Sequence, residues 1–304
     1  MLAREMDETL AIVGAGRVGR ALGRRLRELG WTIGTVVTPS EPSARSAVRF
    51  IGAGKPEAGL SRRVLLSSVI LIAVPDSEIA RVAAELARMG AEELRGHVVL
   101  HTSGALDAGV LQPLREHGAA IGSMHPLQTF SGVAVPPLEG KLFAIEGDLV
   151  AVRTARKIAR ELGAAPTPIE PKKKPLYHAA GALAAGHVLV VVESAVQLLM
   201  SLDIKRSEAL RALLPMTRQV LQNYEHLGPR AAWTGPLARG DYEIVAKHLN
   251  VLQDYSPEYK QAYEALNILA GRVFTKDDRD PQDSTGPGHD LTAKSKAHTT
   301  GGKG

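Results

Sequence analysis

Near its amino terminus the sequence reads Leu10-Ala11-Ile12-Val13-Gly14-Ala15-Gly16-Arg17-Val18-Gly19, in which four apolar residues run directly into a GxGxxG turn. The apolar residues predict a buried strand, and residues 20–29 predict a helix. In such a unit Gly14 permits the tight turn, Gly16 lets the backbone approach a diphosphate, and Gly19 lets the helix pack closely on the strand. Because the helix start also offers free N–H groups, the stretch predicts a dinucleotide site. The predicted cofactor contacts here are Gly14, Gly16, Arg17, Val18 and Gly19.

Further strands and helices alternate along the first half of the chain. Predicted strands cover residues 32–37, 69–74, 97–100, 119–124, 141–146 and 166–169. Predicted helices cover residues 77–89, 108–117 and 149–163. Because this spacing is typical of βαβ units, and because the strand at 69–74 is apolar throughout, we predict an α/β fold with an open, mostly parallel, doubly wound sheet.

The composition changes after residue 169, where a segment rich in proline and lysine reads Glu170-Pro171-Lys172-Lys173-Lys174-Pro175. Beyond it we find only helical periodicity. Helices are predicted over residues 175–201 and 207–225, from Asp241, and from Ser256-Pro257 to about residue 271. Residues 276–304 have almost no apolar side chains and predict a disordered tail. We therefore expect a nucleotide-binding domain over residues 1–170 and a helical substrate and dimerisation domain over residues 171–275.

The composition limits the classes of function. The chain has 304 residues, no cysteine and a net charge of +5. Disulfides and Cys-ligated zinc are excluded, and no HExxH motif or similar cluster predicts a catalytic metal. Lysines and arginines are scattered without interleaved aromatic residues, which argues against nucleic-acid binding. The amino terminus lacks the apolar run of a signal peptide, and the apolar stretch 179–202 carries His187 and Glu193. We therefore expect this stretch to form a helix buried in the helical domain rather than a membrane span, and we expect a cytoplasmic protein.

The end of the second predicted strand bears on the choice of cofactor. An acidic residue about 20 positions after the first glycine commonly binds the ribose of NAD, but this chain reads Val37-Thr38-Pro39-Ser40 there. Hydroxyl groups, together with Arg17, Arg45 and Arg49, suit the 2′-phosphate of NADP. We predict NADP, with NAD as the alternative cofactor and ordinary surface arginines as the plainer explanation. The further predicted cofactor contacts are Thr38, Val74, Pro75 and Ser103.

Polar residues also follow three strands, at the edge where an open α/β sheet binds ligands, and the first of these groups is Pro75-Asp76. His101 and Ser103 follow one predicted strand, and His125 follows the next. We predict that His101 contacts substrate, and that Ser103 and His125 take part in catalysis by positioning it. The alternatives are histidines satisfied by solvent or core groups, and a serine that caps the next helix.

Lys174 and His178 are four residues apart and therefore share one face of the predicted helix. A cation at the start of a helix is at the unfavourable end of the dipole, which suggests a functional reason. We predict that Lys174 or His178 donates a proton to a carbonyl as the carbonyl accepts hydride. The alternative is that Lys172 to Lys174 form a solvated run of charge.

A third group of candidates lies in the loop Thr234-Gly235-Pro236-Leu237-Ala238-Arg239-Gly240-Asp241. The guanidinium of Arg239 is suited to clamp a substrate carboxylate through two hydrogen bonds. We therefore predict a small anionic substrate. The alternative is that Asp241 caps a helix and Arg239 bridges to a neighbouring subunit.

Five motifs resemble, in order, those of a bacterial Rossmann-like family whose helical part is called domain of unknown function 2520. They are the glycine turn, HTSGALDAGVL, SMHPLQTF, KPLYHAAG and TGPLARGD, and the likeness covers residues 9–272. That family is similar to the 6-phosphogluconate dehydrogenase superfamily, which includes ketopantoate reductases, pyrroline-5-carboxylate reductases and β-hydroxyacid dehydrogenases. The pair His125-Pro126 is also similar to one in prephenate dehydrogenases. The resemblance implies a Rossmann domain, an all-α domain of the 6-phosphogluconate dehydrogenase C-terminal-like type that commonly forms a dimer interface, and an NAD(P) cofactor.

The resemblance also implies roles for individual residues. Lys174 occupies the position of the superfamily's lysine at the head of the second domain, and Ser103 that of its polar residue at a strand end. Where Ala-Ser-Asn is expected in the long helix, this chain has Ala185-Gly186-His187. If that amide orients substrate, the chain has lost it, or His187 replaces it from the next position.

Together these observations predict an NADP-dependent oxidoreductase that reduces a small oxo acid or imino acid by hydride transfer in a cleft between the domains. A ketopantoate-reductase-like role is the most concrete version, and a homodimer is expected. The rival hypothesis is a non-catalytic NADP-binding sensor, which Gly186 favours. A deazaflavin-linked NADP reductase is a third possibility on fold analogy alone.

Overall fold

The computed structural model describes residues 9–274, so the predicted tail over residues 276–304 lies outside the described residues. The described part begins with eight strands interleaved with helices. The strands are β1 (Thr9–Val13), β2 (Thr32–Thr38), β3 (Lys55–Ala58), β4 (Val69–Ile72), β5 (Val98–His101), β6 (Ala120–Pro126), β7 (Leu142–Gly147) and β8 (Ala165–Pro168).

The eight strands form one sheet in the order β3-β2-β1-β4-β5-β6-β7-β8. Every neighbouring pair is parallel except β6 and β7, which run antiparallel. The direction of winding reverses between β1 and β4, and ligands of open α/β sheets bind at such a reversal. The predicted doubly wound, mostly parallel sheet is therefore confirmed.

Helices cover both faces of this sheet. They are α1 (Arg17–Glu28), α2 (Glu41–Ile51), α3 (Asp76–Met89), α4 (Gln112–Arg115), α5 (Leu149–Glu161) and α6 (Lys174–Ala182). Leu10 and Ile12 of β1 pack in the layer of α1, α2 and α5, whereas Ala11 and Val13 pack in the layer of α3 and α4. All four side chains are at most 2% exposed. This burial on both faces explains why β1 is an uninterrupted apolar run.

The chain divides into two compact units, of which the first reaches Val190 and the second begins at Val191. Helix α6 continues through a π-helical turn (Leu183–His187) into α7 (Val188–Met200). The helices that follow are α8 (Arg206–Ala232), α9 (Pro236–Arg239), α10 (Tyr242–Tyr255) and α11 (Pro257–Val273). From Val191 to residue 274 the described chain contains helices and no strand, as predicted, while the predicted boundary at residue 170 stays a prediction.

The structure corrects several predicted elements. Strand β3 was not predicted, because Lys55-Pro56-Glu57-Ala58 has no apolar alternation, but an edge strand tolerates proline and charge. The helix predicted over residues 108–117 is a 3₁₀ turn (Ala108–Leu111) followed by the short α4. Helix α1 begins at Arg17 rather than at residue 20, and α8 extends to Ala232 with a kink at Gly228, where φ is 78°.

One segment, Pro171–Met200, is long and apolar enough to cross a membrane by length and composition, with a hydropathy of 1.8. A single helix of this kind is weak evidence for a span. Its large apolar side chains are nevertheless mostly exposed in the single chain: Leu176 is 77% exposed and Leu189 68%. The expectation that this helix is buried is therefore not met within one copy of the chain.

Candidate functional site

The glycine turn between β1 and α1 has the geometry that a diphosphate requires. Gly14 has a φ of 89°, and a Cβ there would lie 2.5 Å from Cγ1 of Val74. A Cβ on Gly19 would lie 2.5 Å from the carbonyl oxygen of Gly14, so helix and strand are in close contact. Around Gly16, by contrast, nothing lies within 4 Å of a built Cβ, and no side chain caps α1. The turn thus leaves open space and uncapped N–H groups for an anionic group.

A cavity of about 460 Å³, here called the nucleotide cavity, lies beside this turn. Its lining residues are Ala15, Gly16, Arg17, Arg20, Thr38, Pro39, Ser43, Ser46, Ala47, Ala73, Val74 and Pro75. The predicted contacts Arg17, Thr38, Val74 and Pro75 are therefore brought together. Ser43 and Ser46 add two hydroxyl groups that the sequence analysis missed. Arg45 instead pairs with Glu41 and does not line the cavity.

A second cavity of about 360 Å³, here called the histidine cavity, shares five lining residues with the first. The shared residues are Gly16, Arg17, Ala73, Val74 and Pro75. Its other lining residues are Val18, Asp76, Thr102, Ser103, Gly104, His125 and His178. The two cavities therefore form a continuous trough across the carboxyl ends of β1, β4 and β5. The trough connects the predicted cofactor residues with three of the predicted catalytic residues.

His125, Tyr177 and His178 form a compact aromatic group at this end of the trough. Nδ1 of His125 lies 2.9 Å from the hydroxyl of Tyr177, and the two rings meet edge to face. The rings of His125 and His178 are also edge to face, with centroids 5.7 Å apart. His125 lies inside β6, which extends to Pro126, whereas the sequence analysis ended the strand at residue 124.

Gly104 allows the two histidine rings to approach the backbone. A Cβ at this position would lie 2.6 Å from Cδ2 of His178 and 2.8 Å from Nε2 of His125. Any larger residue would displace one ring or both. This role of Gly104 was not predicted, because the sequence does not show which side chains pack against it.

Burial keeps both members of the His125–Tyr177 pair neutral. Desolvation, together with the nearby His178 and Lys174, lowers the pKa of His125 to about 4. Desolvation also raises the pKa of Tyr177 to about 12. A protonated phenol beside a neutral imidazole can donate to Nδ1, and in that tautomer the imidazole proton is on Nε2.

Ser103 is 4% exposed and fully engaged in hydrogen bonds. Its hydroxyl donates to Oδ2 of Asp76 at 2.8 Å and accepts from the N–H groups of Ala105 and Leu106. Ser103 therefore lines the cavity but does not cap a helix, because the next helical turn begins at Ala108 and is capped by Asp107. The carboxylate of Asp76, at the start of α3, also lines this cavity, at the strand end where the sequence placed it without assigning it a role.

The position of His101 does not fit the predicted substrate contact. Its side chain is fully buried in β5. Nδ1 accepts the N–H of Ser103 at 3.1 Å, and Nε2 lies 3.1 Å from the carbonyl oxygen of Asp107. Both ring nitrogens are therefore bound by the main chain. Desolvation, with the positive charge of Lys174, lowers its pKa to about 4, so a neutral His101 shapes the loop.

Lys174 is likewise buried, with no exposed surface. Its ammonium donates to Oγ of Ser123 at 2.6 Å and to the carbonyl oxygen of Ser103 at 3.1 Å, and lies 3.9 Å from Oε1 of Glu146. Lys174 is not among the residues that line the histidine cavity. The predicted role as a proton donor to substrate therefore does not fit this geometry, and the alternative of a solvated charge run is wrong for Lys174.

Glu146 is the acidic partner in this buried group and is 8% exposed. It accepts the N–H of Ala108 at 2.8 Å. Desolvation raises the pKa of Glu146 and lowers the pKa of Lys174, while each charge opposes the shift of the other. Sequence analysis missed Glu146, because a single acid in a strand gives no sign of a buried partner.

Two further predicted substrate contacts are exposed side chains. Arg239 is exposed in α9, where its Nε donates to Asp241 at 3.0 Å. His187 is exposed in the π-helical turn, and nothing lies within 4 Å of a Cβ built on the neighbouring Gly186. Their contacts with substrate stay predictions. Within residues 9–274, no group of three or more His, Cys, Asp or Glu side chains is placed to hold a metal ion.

Comparisons with known proteins divide the chain in the same order as the motifs. A model of the Rossmann-like domain matches residues 3–126, and a model of the domain of unknown function DUF2520 matches residues 141–268. The second match includes β7, α5 and β8, so the DUF2520 region begins within the sheet. No curated protein matches the sequence.

Solved structures of similar fold include three that cover most of this chain. A candidate NADP oxidoreductase from Bacteroides fragilis is 21% identical, with a TM-score of 0.71, and covers 88% of this chain and 98% of its own. An imine reductase from Pseudomonas is 15% identical, with a TM-score of 0.63 and coverage of 88% and 94%. Pyrroline carboxylate reductase from Plasmodium falciparum, solved with NADP bound, is 12% identical, with a TM-score of 0.56 and coverage of 87% and 98%. At these identities the likeness establishes a common fold.

Proposed function

Because residues 3–126 match the Rossmann-like model and residues 141–268 match the DUF2520 model, we propose that the chain is an NADP-dependent oxidoreductase. The proposed reaction is reduction of the C=O or C=N bond of a small oxo acid or imino acid, and a ketopantoate-reductase-like role is its most concrete form. The observation that carries the proposal is the continuous trough from Thr38 to His125. The names of the structural neighbours, which include NADP-dependent and imine reductases, agree with it.

The residues of the turn fit the cofactor. The open space over Gly16 and the uncapped start of α1 suit the diphosphate. Arg17, Thr38, Ser43 and Ser46 supply the positive charge and hydroxyl groups that a 2′-phosphate requires. When bound, NADPH would supply the hydride, and the histidine cavity, which shares Gly16, Arg17 and Val74 with the nucleotide cavity, would receive the substrate.

His125 is the proposed catalytic residue. With Nδ1 occupied by the hydroxyl of Tyr177, its Nε2–H is free to donate a hydrogen bond to the heteroatom that gains negative charge. A neutral imidazole is an established electrophile of this kind. The proton that completes the reduction then comes from solvent. His178 and Ser103 line the same cavity and position the substrate.

The remaining parts of the proposal concern substrate, assembly and location. Arg239 is proposed to bind the carboxylate of a small anionic substrate, which requires release of its hydrogen bond to Asp241.

We propose a homodimer because apolar side chains as large as Leu176, Leu189 and Leu221 are more than half exposed in the single chain. Sedimentation at twice the mass of the chain tests this. A cytoplasmic location is retained as a proposal.

The alternative function is an NADP-binding sensor without turnover. The open space around Gly186, where related chains are expected to carry an asparagine, favours it. A sensor would bind the cofactor as tightly as an enzyme and would not oxidise it with any carbonyl or imine.

The deciding experiment titrates the purified protein with NADPH and NADH by fluorescence, then follows oxidation of NADPH with a panel of oxo acids and cyclic imines. We expect tighter binding of NADPH and turnover of at least one substrate. His125→Asn is the matched control. It should bind NADPH with normal affinity and oxidise it slowly in the presence of substrate. Binding without turnover across the panel would favour the sensor, and failure to bind either nucleotide would refute both functions.

A further inference from the structure

Beneath the histidine cavity lies a buried group that the proposed reaction does not use. It consists of Ser123, Glu146 and Lys174, none of which is more than 8% exposed. Ser123 and Glu146 face each other across the antiparallel pair β6 and β7, and Lys174 begins α6. The ammonium is 2.6 Å from Oγ of Ser123 and 3.9 Å from Oε1 of Glu146.

Strand β6 and helix α6 meet through two parallel contacts. Ser123 and His125 are two residues apart on β6, so their side chains point to the same face of the sheet. Lys174 and Tyr177 are three residues apart on α6 and share one face of the helix. Oγ of Ser123 accepts a hydrogen bond from the ammonium of Lys174. Nδ1 of His125 lies 2.9 Å from the hydroxyl of Tyr177. Both contacts therefore join the same strand to the same helix.

The first contact is costly unless all its members are present. Lys174 is at the positive end of the α6 dipole and is removed from water. The Glu146 carboxylate and the carbonyl oxygen of Ser103 compensate the charge, and Glu146 is itself held by the N–H of Ala108. These partners are all satisfied only when the ammonium occupies one position, and this fixes the position of the first residue of α6.

We propose that Ser123, Glu146 and Lys174 form an anchor that holds Tyr177 against His125, and that all three are positioning residues. This inference rests on the proposed function only in that His125 is the catalytic residue whose geometry the anchor sets. It assigns Lys174 a role through Tyr177 rather than contact with substrate. A buried pair that merely stabilises the fold would leave the His125–Tyr177 contact unchanged when it is weakened.

A double-mutant cycle separates these two roles. Glu146→Gln keeps the acceptor for Ala108 and removes the charge, and Ser123→Ala removes the hydroxyl without removing a charge. We expect each to lower kcat about fivefold to tenfold, the effect of one hydrogen bond, with unchanged affinity for NADPH. In the background Tyr177→Phe, neither change should lower kcat further. Full additivity in that background would overturn the proposal.

A second measurement does not depend on turnover. Nitrogen NMR of the His125 ring reports which ring nitrogen carries the proton and at what pH the ring titrates. We expect Glu146→Gln and Ser123→Ala to shift the Nδ1 resonance in the direction that Tyr177→Phe shifts it. An unchanged His125 spectrum would overturn the anchor even if the proposed function stands, and absence of turnover with a shifted spectrum would refute the function alone.

Trp31→Phe serves as the control for general loss of stability. Trp31 donates a half-buried hydrogen bond to Glu161 and directly precedes β2, so it lies at the amino end of that strand, whereas Thr38 at the carboxyl end lines the trough. Its removal should lower the unfolding temperature without changing kcat or the His125 resonance. If Glu146→Gln does not fold, Ser123→Ala carries the test alone.

Discussion

The hydroxyl of Tyr177 lies 2.9 Å from Nδ1 of His125, so the first turn of α6 fixes a side chain that belongs to β6. Two pKa shifts support the same arrangement. Burial lowers the pKa of His125 to about 4 and raises the pKa of Tyr177 to about 12. Across the working pH range of most enzymes the pair is neutral, and the phenol is available as the donor.

Replacement of Tyr177 by Phe tests this arrangement directly. The change removes one hydrogen bond and keeps the ring, so His125 loses its fixed tautomer and orientation. We expect kcat to fall about tenfold, consistent with about 1 kcal/mol for a hydrogen bond, while the affinity for NADPH is unchanged. Steady-state kinetics and a fluorescence titration measure the two quantities. In His125→Asn, kcat should fall further, by about 100-fold. Equal kcat in wild type and Tyr177→Phe would contradict the role of the pair.

Much of the fold could be predicted because every strand of the sheet except β3 carries a local signal. The apolar run at residues 10–13 and the glycines after it determine the switch point without reference to the rest of the chain. Strand β3 escaped prediction because Pro56 and its charged neighbours are stabilised only by pairing with β2. The length of β6 also depends on a partner, since His125 and Pro126 pair with Ala144 and Phe143 of β7.

The candidate site was predicted less completely, for a physical reason. Strand-end position correctly brought Ser103 and His125 to one cavity. It could not separate them from His101, whose burial follows from hydrogen bonds to Ser103 and Asp107. Helical spacing placed Lys174 and His178 on one face of a helix. It could not identify the partners that bury Lys174 beneath the cavity. Tyr177, Gly104 and Glu146 matter only through contacts with residues distant in sequence.

Gly104→Ala should impair activity more than stability. Its Cβ would lie within 3 Å of both histidine rings, and a ring can rotate away at modest cost, so the unfolding free energy should fall by only about 1 kcal/mol. The displaced rings should no longer meet substrate and Tyr177 together, and kcat should fall at least about tenfold. Thermal unfolding and kinetics measure the two effects.

Gly186→Ala is the matched control for that substitution. It lies in the continuous helical segment with nothing within 4 Å of its built Cβ. Alanine should stabilise the chain by about 0.5–1 kcal/mol and leave kcat unchanged. A comparable loss of activity in both variants would show that the rings beside Gly104 are not the cause.

Ser43→Asp should change the preference between the two nucleotides. Ser43 lines the nucleotide cavity near Thr38, so a carboxylate there would repel a phosphate monoester and accept a hydrogen bond from a hydroxyl. We expect the affinity for NADPH to fall at least about tenfold and that for NADH to hold or rise. Arg45→Ala changes the net charge by the same amount, but Arg45 pairs with Glu41 outside the cavity. Fluorescence titration should find the preference of Arg45→Ala unaltered, and a similar effect of both variants would refute a specific role of Ser43.

The stability of the protein should fall on mild acidification, because His101 and His125 remain unprotonated in the folded state. Their folded pKa values are about 4, below the ordinary 6.5, so between these values the unfolded chain binds more protons than the folded one. The contribution of each group is complete above pH 6.5 and is lost as the pH falls toward 4. For the fully buried His101 the loss is on the order of 3 kcal/mol. His101→Asn removes one titrating group, so its free energy of unfolding in urea should decline less between pH 7 and pH 4.5 than that of wild type. An identical decline in both proteins would mean that His101 is protonated in the fold, with its hydrogen bond from Ser103 broken.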